Sequence, residues 1–199
     1  MKKQKHLLTL ILLIVTLSSC GKILMSIYGI HKPKKICEKT ILKFAHNFDI
    51  DTSTISILDY NGFKNKFEIL KGLNDVIIFD SSGAMVVPYD AKSCKGTRID
   101  FLQQFKDSSN VYLSDSLRLE DLTSNLYDLQ GTQKNLDINN KKYIAIIYSA
   151  DFAGRLNINY TKAWNLQLKQ DSSVQIINII CDPNQTWSDQ EVSKIRNQL

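Results

Sequence analysis

The sequence contains no Cys-x-x-Cys pair, no Walker loop, no dinucleotide fingerprint and no Gly-x-Ser-x-Gly. These absences remove the sequence grounds for dithiol exchange, for a phosphate-cradling loop, for a Rossmann-type cofactor and for a serine hydrolase elbow. Only His31 and His46 fall beyond the first 20 residues, and neither has a partner at ligand spacing. Nothing therefore points to a bound metal, and no cofactor is expected. No apolar run approaches the roughly 20 residues of a membrane-spanning helix, and no internal repeat or low-complexity tract occurs. What is present, 43% apolar and 23% charged content over 199 residues, is ordinary for one globular domain with a sizeable core.

The N-terminus departs from that composition. Met1-Lys2-Lys3-Gln4-Lys5 is basic, Leu7–Leu17 is an apolar run of 11 residues, and Leu17-Ser18-Ser19-Cys20 closes it with small residues before a cysteine. This resembles a bacterial lipoprotein signal with its lipobox. The resemblance implies cleavage before Cys20 and acylation of Cys20, which makes the lipid bilayer the first expected partner. An uncleaved signal anchor is the other reading, because Ile23–Ile30 is also apolar, although Lys22 interrupts it. Acylation would hold the chain durably, since each buried CH₂ contributes about 0.8 kcal/mol.

Of the formal net charge of +5, three lysines belong to the first 19 residues, which carry no acids, so +2 remains for the rest. That is no electrostatic footprint for nucleic acid. Lys22, Lys32, Lys34, Lys35 and Lys39 cluster near the attachment point, either touching anionic headgroups or forming a solvated tether and helix start. Surface-exported lipoproteins of some Gram-negative groups carry an acidic run after the acylated cysteine. Here the run is Gly21-Lys22-Ile23-Leu24, which favours a periplasm-facing domain of the cell envelope and leaves inner or outer membrane open. The expected organisation is a signal peptide over 1–19, a lipidated tether over 20–33 and one globular domain over 34–199.

The most informative stretch is Lys141–Trp187. Tyr143–Ala150 is rich in β-branched and aromatic residues and reads as a buried strand. After the loop Asp151–Gly154, apolar residues at Leu156, Tyr160, Ala163, Trp164 and Leu168 recur at helical spacing, and Val174–Ile180 is a second buried strand. This is a β-α-β unit whose strands are expected to be parallel. It resembles the central β-α-β of thioredoxin. Ala150-Asp151-Phe152-Ala153-Gly154-Arg155-Leu156 lies over that family's Ala-x-Trp-Cys-Gly-Pro-Cys loop. Ala153 and Leu156 then stand at the two cysteine positions, Arg155 at the proline and Ile147 at the buried aspartate. The resemblance implies the fold and not the chemistry.

Upstream, Lys34–Asn47 reads as a helix with one apolar face, Thr54–Leu58 as a strand and Gly62–Lys71 as a short helix. Val76–Phe79, the turn Asp80–Gly83 and Ala84–Tyr89 form an expected hairpin, with a helix over Thr97–Phe105 behind it. The hairpin is similar to the last one of thioredoxin. It precedes the β-α-β instead of following it, and the family's cis-proline has no counterpart, Asn74 falling closest. Either the order is permuted or the likeness of this half is accidental. The expected class is α/β, a thioredoxin-like mixed sheet with helices on both faces in permuted order, Tyr143–Ala150 lying between Val174–Ile180 and the hairpin. Lys106–Asn140 reads as a polar connector with one helix, and Ser188 with Glu191 as the capping box of a last helix.

Losing both cysteines, the buried acid and the cis-proline leaves no exchange chemistry at that loop. The first expectation is a redox-inactive scaffold with a binding or accessory role and an envelope protein as partner. Its candidate contact surface is Asp151, Phe152, Ala153, Gly154 and Arg155, with Phe152 either an exposed aromatic between opposite charges or half-buried packing. The alternative is a thiol-dependent redox protein or sensor acting through Cys94, which is flanked by Lys95 and Arg98 and precedes a helix capped by Thr97. Cys37 would be its resolving partner, or the two would form a structural disulfide. Cys181 reads as a small core residue. A third class, acid–base catalysis by Asp151 and Asp182 at adjacent strand ends, rests on residues that equally favour turns. No catalytic residue is assigned.

Overall fold

The computed structural model describes residues 25–70, 76–88, 111–136 and 141–198. In chain order its elements are α1 (Glu38–Asn47), β1 (Ile55–Leu58), α2 (Tyr60–Leu70), β2 (Val76–Asp80), β3 (Ala84–Pro88), β4 (Val111–Arg118), α3 (Leu119–Thr123), β5 (Leu126–Tyr127), β6 (Tyr143–Ser149), α4 (Gly154–Leu168), β7 (Val174–Ile180) and α5 (Asp189–Gln198). They form one seven-stranded mixed sheet in the order β4-β3-β2-β6-β7-β1-β5. β7 runs parallel to both β6 and β1, and the other neighbours are antiparallel.

The β-α-β unit forms for the reasons its sequence gives. A strand between two parallel or central neighbours is buried on both faces and reads as a continuous apolar run, and Ile144 to Ile147 are at most 1% exposed. A parallel return needs a crossover, supplied by the 15 residues of α4. β6 lies between β7 and the hairpin β2–β3, in the expected order. The inner strands β3-β2-β6-β7 thus make a mixed sheet compatible with a thioredoxin-like α/β fold, with the hairpin ahead of the β-α-β in the chain.

Helices cover both faces. Ile144, Ile146 and Tyr148 pack with Phe63 of α2, Leu122 of α3, and Val192 and Ile195 of α5. On the opposite face Ala145 and Ile147 meet Trp164 and Leu168 of α4, and Ile41 and Ala45 of α1 pack on Ile55, Ile57 and Ile180. The hairpin turn is closed by Asp80, whose Oδ1 accepts the Ser82 and Ala84 N–H groups, both at 2.9 Å. Ser188 and Glu191 form the expected capping box, with the Ser188 N–H donating to Glu191 Oε2 at 2.7 Å and the Glu191 N–H to Ser188 Oγ at 3.3 Å.

Two expectations are corrected. The polar connector contains two strands: β4 pairs with β3 at one side of the sheet, and β5 pairs with β1 at the other. β4 escaped notice because of its eight residues only Leu117 is buried, so Ser114-Asp115-Ser116 reads as loop. α1 begins at Glu38 and not Lys34, since residues 31–37 are non-helical and the Ile36 N–H donates to Pro183 O at 2.8 Å. The segment assigned to the tether is, from residue 25, ordered against the domain, as described below. Asn74 and the Thr97–Phe105 helix lie outside the described residues. Among the described residues no helix is long and apolar enough to cross a membrane.

Candidate functional site

β6 and β7 end side by side, and the chain leaves them toward opposite faces, from β6 into α4 and from β7 toward α5. Such a divergence opens a crevice at the carboxyl edge of an α/β sheet. Asp151 follows β6 there and Asp182 follows β7. Asp182, 3% exposed, accepts the Asp151 N–H at 2.7 Å through Oδ2 and the Phe152 N–H at 3.3 Å through Oδ1. Burial pushes its carboxyl up to about 6, against the opposing pull of those two donors. Asp151 in turn has Oδ2 at 3.3 Å from His31 Nε2. Both acids suspected of catalysis are brought together, and both are engaged in holding backbone and a neighbouring segment.

That segment is the stretch ahead of α1. Residues 25–28 make a helical turn, the His31 N–H donates to Phe152 O at 3.1 Å, and Arg196 Nε of α5 donates to Pro33 O at 3.1 Å. Gly154 opens α4 with φ +78 and ψ −169, and a β-carbon on it would lie 2.3 Å from Tyr28 O. The loop over the thioredoxin cysteine positions is therefore covered by 28–31. Phe152 is 5% exposed and belongs to the core around β6 and β7, so of its two expected states it takes the packed one. Gly154 is also buried, Asp151 and Ala153 are partly buried, and Arg155 stands in solvent.

Under α1 lies a small cavity of about 40 Å³ whose walls include Ile36, Thr40, Phe44, Ile180, Ser149 and Asp182. Ser149 Oγ is buried with no hydrogen-bond partner among the described residues. On the other face a groove of about 370 Å³ runs between α2 and α5, lined by Phe63, Phe67 and Ile195 with Lys64, Glu68 and Gln198.

The thiols separate cleanly. Cys37 is free and exposed in the position just before α1. Hydrogen bonding by the Thr40 side chain and then its backbone lowers the Cys37 thiol below its ordinary value, with Sγ at 3.5 Å from Thr40 Oγ1. Cys181 is free and fully buried, the expected core residue. Burial raises its thiol while Lys66 opposes the rise. Lys66 Nζ donates to Cys181 Sγ at 3.3 Å and sits 3.4 Å above the Tyr148 ring. Cys94 lies outside the described residues.

Sequence reasoning missed Lys66, His31 and Ser149. Lys66 had a readable signal, since it falls three residues after Phe63 on the apolar row of α2, and Ser149 interrupts a buried run. His31 had none, because its partners are supplied from β6's far end. Among the described residues no group of three or more His, Cys, Asp or Glu could hold a metal ion. No family model matches the chain, and neither curated proteins nor solved structures give a match.

Proposed function

We propose that this protein is a lipid-anchored scaffold of the bacterial envelope, whose thioredoxin-like domain serves binding or accessory work and performs no dithiol exchange at the thioredoxin position. The observation that carries the reading is the state of that position. Ala153 and Leu156 supply no sulfur, and the backbone of Tyr28 to Ile30 packs directly on Gly154. Exchange needs an attacking thiolate with access to a disulfide, and neither is available there. The anchor is inferred from the lipobox-like Leu17-Ser18-Ser19-Cys20. The α2–α5 groove is of the size that small ligands or a few partner side chains fill, and it is the contact surface this reading favours for an envelope protein.

A second reading keeps a thiol function, with Cys94 acting and Cys37 resolving. It is supported by Cys37 being exposed, free and held below the ordinary thiol range. One experiment addresses both. The chain is expressed in a bacterial host, and the mass of the Cys20 peptide is measured beside reduction of a protein disulfide by the purified chain. Acylated Cys20, lost from Cys20→Ala together with membrane attachment, and no reductase turnover are expected. Unmodified Cys20 would sink the anchored reading, and turnover abolished by Cys37→Ser would transfer the function to the thiols.

A further inference from the structure

The helical turn at 25–28 exposes Met25 (40%), Ile27 (59%) and Tyr28 (38%). Beside it, α4 exposes Leu156 (44%) and Tyr160 (38%), which are four residues apart and so share one helical row. The two sets belong to one end of the domain. The chain after Tyr28 packs on the first residues of α4, where a β-carbon on Gly29 would be 3.6 Å from Arg155 Cγ. Scattered exposed apolar residues are ordinary, but here five large ones project from two elements in contact. The flank is basic: Lys32, Lys34, Lys35, Lys39 and Arg155 are all exposed. These five cations outnumber the nearby acids: Asp151 meets His31 and Asp189 pairs with Lys35, while Glu38, bonded to the neutral Gln130 amide, keeps its charge. An apolar face edged by cations, with tyrosines at the boundary, is the composition that lies in a membrane interface.

Chain length selects the occupant. Cys20 and Met25 are five residues apart, and a fully extended chain spans at most about 18 Å over that distance. Met25 opens a turn that is tied to the fold through His31 and Phe152. An acyl chain on Cys20 therefore brings this particular end of the domain to the headgroups.

We propose that the face formed by Met25, Ile27, Tyr28, Leu156 and Tyr160 docks on the bilayer surface, so that the anchor holds the domain in one orientation. The proposal rests on acylation of Cys20. Docking turns the covered thioredoxin-like loop toward lipid. The α2–α5 groove lies on the opposite face of the sheet from α4 and is lined by none of the five docking residues.

The test is hydroxyl-radical footprinting of the full lipidated chain in vesicles of phosphatidylethanolamine and phosphatidylglycerol, read residue by residue by mass spectrometry. The reference is the Cys20→Ala chain in solution, and intact mass reports acylation. Labelling of Met25, Tyr28, Leu156 and Tyr160 is expected to fall severalfold in vesicles, while exposed Tyr112 and Leu113 of β4 label equally in both. Ile27→Glu, at an exposed site, is expected to restore labelling of Tyr28 and Tyr160 with acylation intact. An acylated chain whose four residues label as in the reference overturns the docking and leaves the anchor standing. Equal protection in a concentrated Cys20→Ala sample without vesicles means self-association and also overturns it. Absent acylation overturns the anchor itself and the docking with it.

Discussion

The Asp182 carboxylate accepts the backbone N–H of Asp151 at 2.7 Å, tying together the segments that leave two adjacent parallel strands. A second bond, from the Phe152 N–H, uses its other oxygen. A buried polar group without partners is costly, and this one resolves its burial by serving two backbone donors of the turn. The pair of acids at the strand ends thus works as a clamp on the loop, and the loop in turn receives the segment 28–31.

The clamp has a pH dependence of definite sign. Asp182 is raised from 3.8 to about 6 in the folded chain, so the folded state holds its proton more tightly than the unfolded state. Stability from this group is full below about pH 4 and is lost as pH rises toward 6, by about 3 kcal/mol in all. Asp51 and Glu191, both lowered by hydrogen bonds from Ser53 and Ser188, act at the acid end with the opposite sign. Urea midpoints measured from pH 4 to 7 should show a falling component in the wild type that is missing from Asp182→Asn. At pH 4 the variant should sit about 1–3 kcal/mol below the wild type, because its amide accepts from only one of the two N–H donors and sets its NH₂ group against the other, and the gap should close as pH rises. A wild-type profile with the same slope as the variant would refute the assignment.

Gly154→Ala tests the cover. The backbone there occupies a region open essentially to glycine, worth about 1–3 kcal/mol of strain for any other residue, and the added carbon would meet Tyr28 O at 2.3 Å. Backbone against backbone has little room to give, so the expected relief is release of 28–31 from the loop. Faster amide exchange at His31 and new protease cleavage near residues 25–33 are the readouts. Unchanged exchange at His31 would mean that the cover does not depend on this contact.

How much of this was legible follows from burial. β6 and β7 could be read because strands buried on two faces give unbroken apolar runs. α4 could be read as a helix, but its apolar row marked the buried face only in part, since Trp164 and Leu168 are buried while Leu156 and Tyr160 are exposed and Asn157, Thr161 and Asn165 face the sheet instead. The hairpin could be read because Asp80 and Gly83 mark its turn. β4 could not, since an edge strand with one buried residue carries no alternation, and the two residues of β5 are below any pattern. At the site, Asp151 and Asp182 were visible as strand-end acids, but whether such an acid serves chemistry or backbone depends on which N–H it meets. Phe152 illustrates the same limit, because one turn of a short loop decides between solvent and core.

The Asn165–Asn178 pair offers a packing test. Each amide donates to the other's oxygen, at 2.8 and 3.0 Å, and both residues are 1% exposed. Asn178 also donates to Thr54 Oγ1 at 2.9 Å, and Asn165 to Thr161 O at 3.0 Å. Replacing one partner by leucine leaves the other amide's oxygen buried without its donor, although its NH₂ keeps the bond to Thr54 or Thr161, and should cost about 1–3 kcal/mol beyond any packing change. Asn165→Leu with Asn178→Leu together should cost less than the sum of the singles. A double-mutant cycle in urea unfolding measures the coupling, and strict additivity would show that the two amides do not depend on each other.

The thiols give the most direct comparison, because two cysteines of one chain sit in opposite environments. Cys37 is exposed before α1, where Thr40 bonding favours its thiolate, whereas Cys181 is fully buried and its thiol is raised. Thiolate is the reacting form. Iodoacetamide followed by peptide mass across pH should therefore modify Cys37 in the folded chain at lower pH than a free cysteine requires, and Cys181 only after unfolding. Thr40→Val removes the side-chain bond and should move the Cys37 profile to higher pH, leaving Cys181 as it was. Lys66→Met, which keeps the buried stem and removes the charge opposing the rise, should leave Cys181 still slower to react on partial unfolding. If Cys181 modifies readily in the native chain, the core around Lys66 and Tyr148 opens on the timescale of alkylation, and its thiol joins Cys37 as a candidate for redox chemistry.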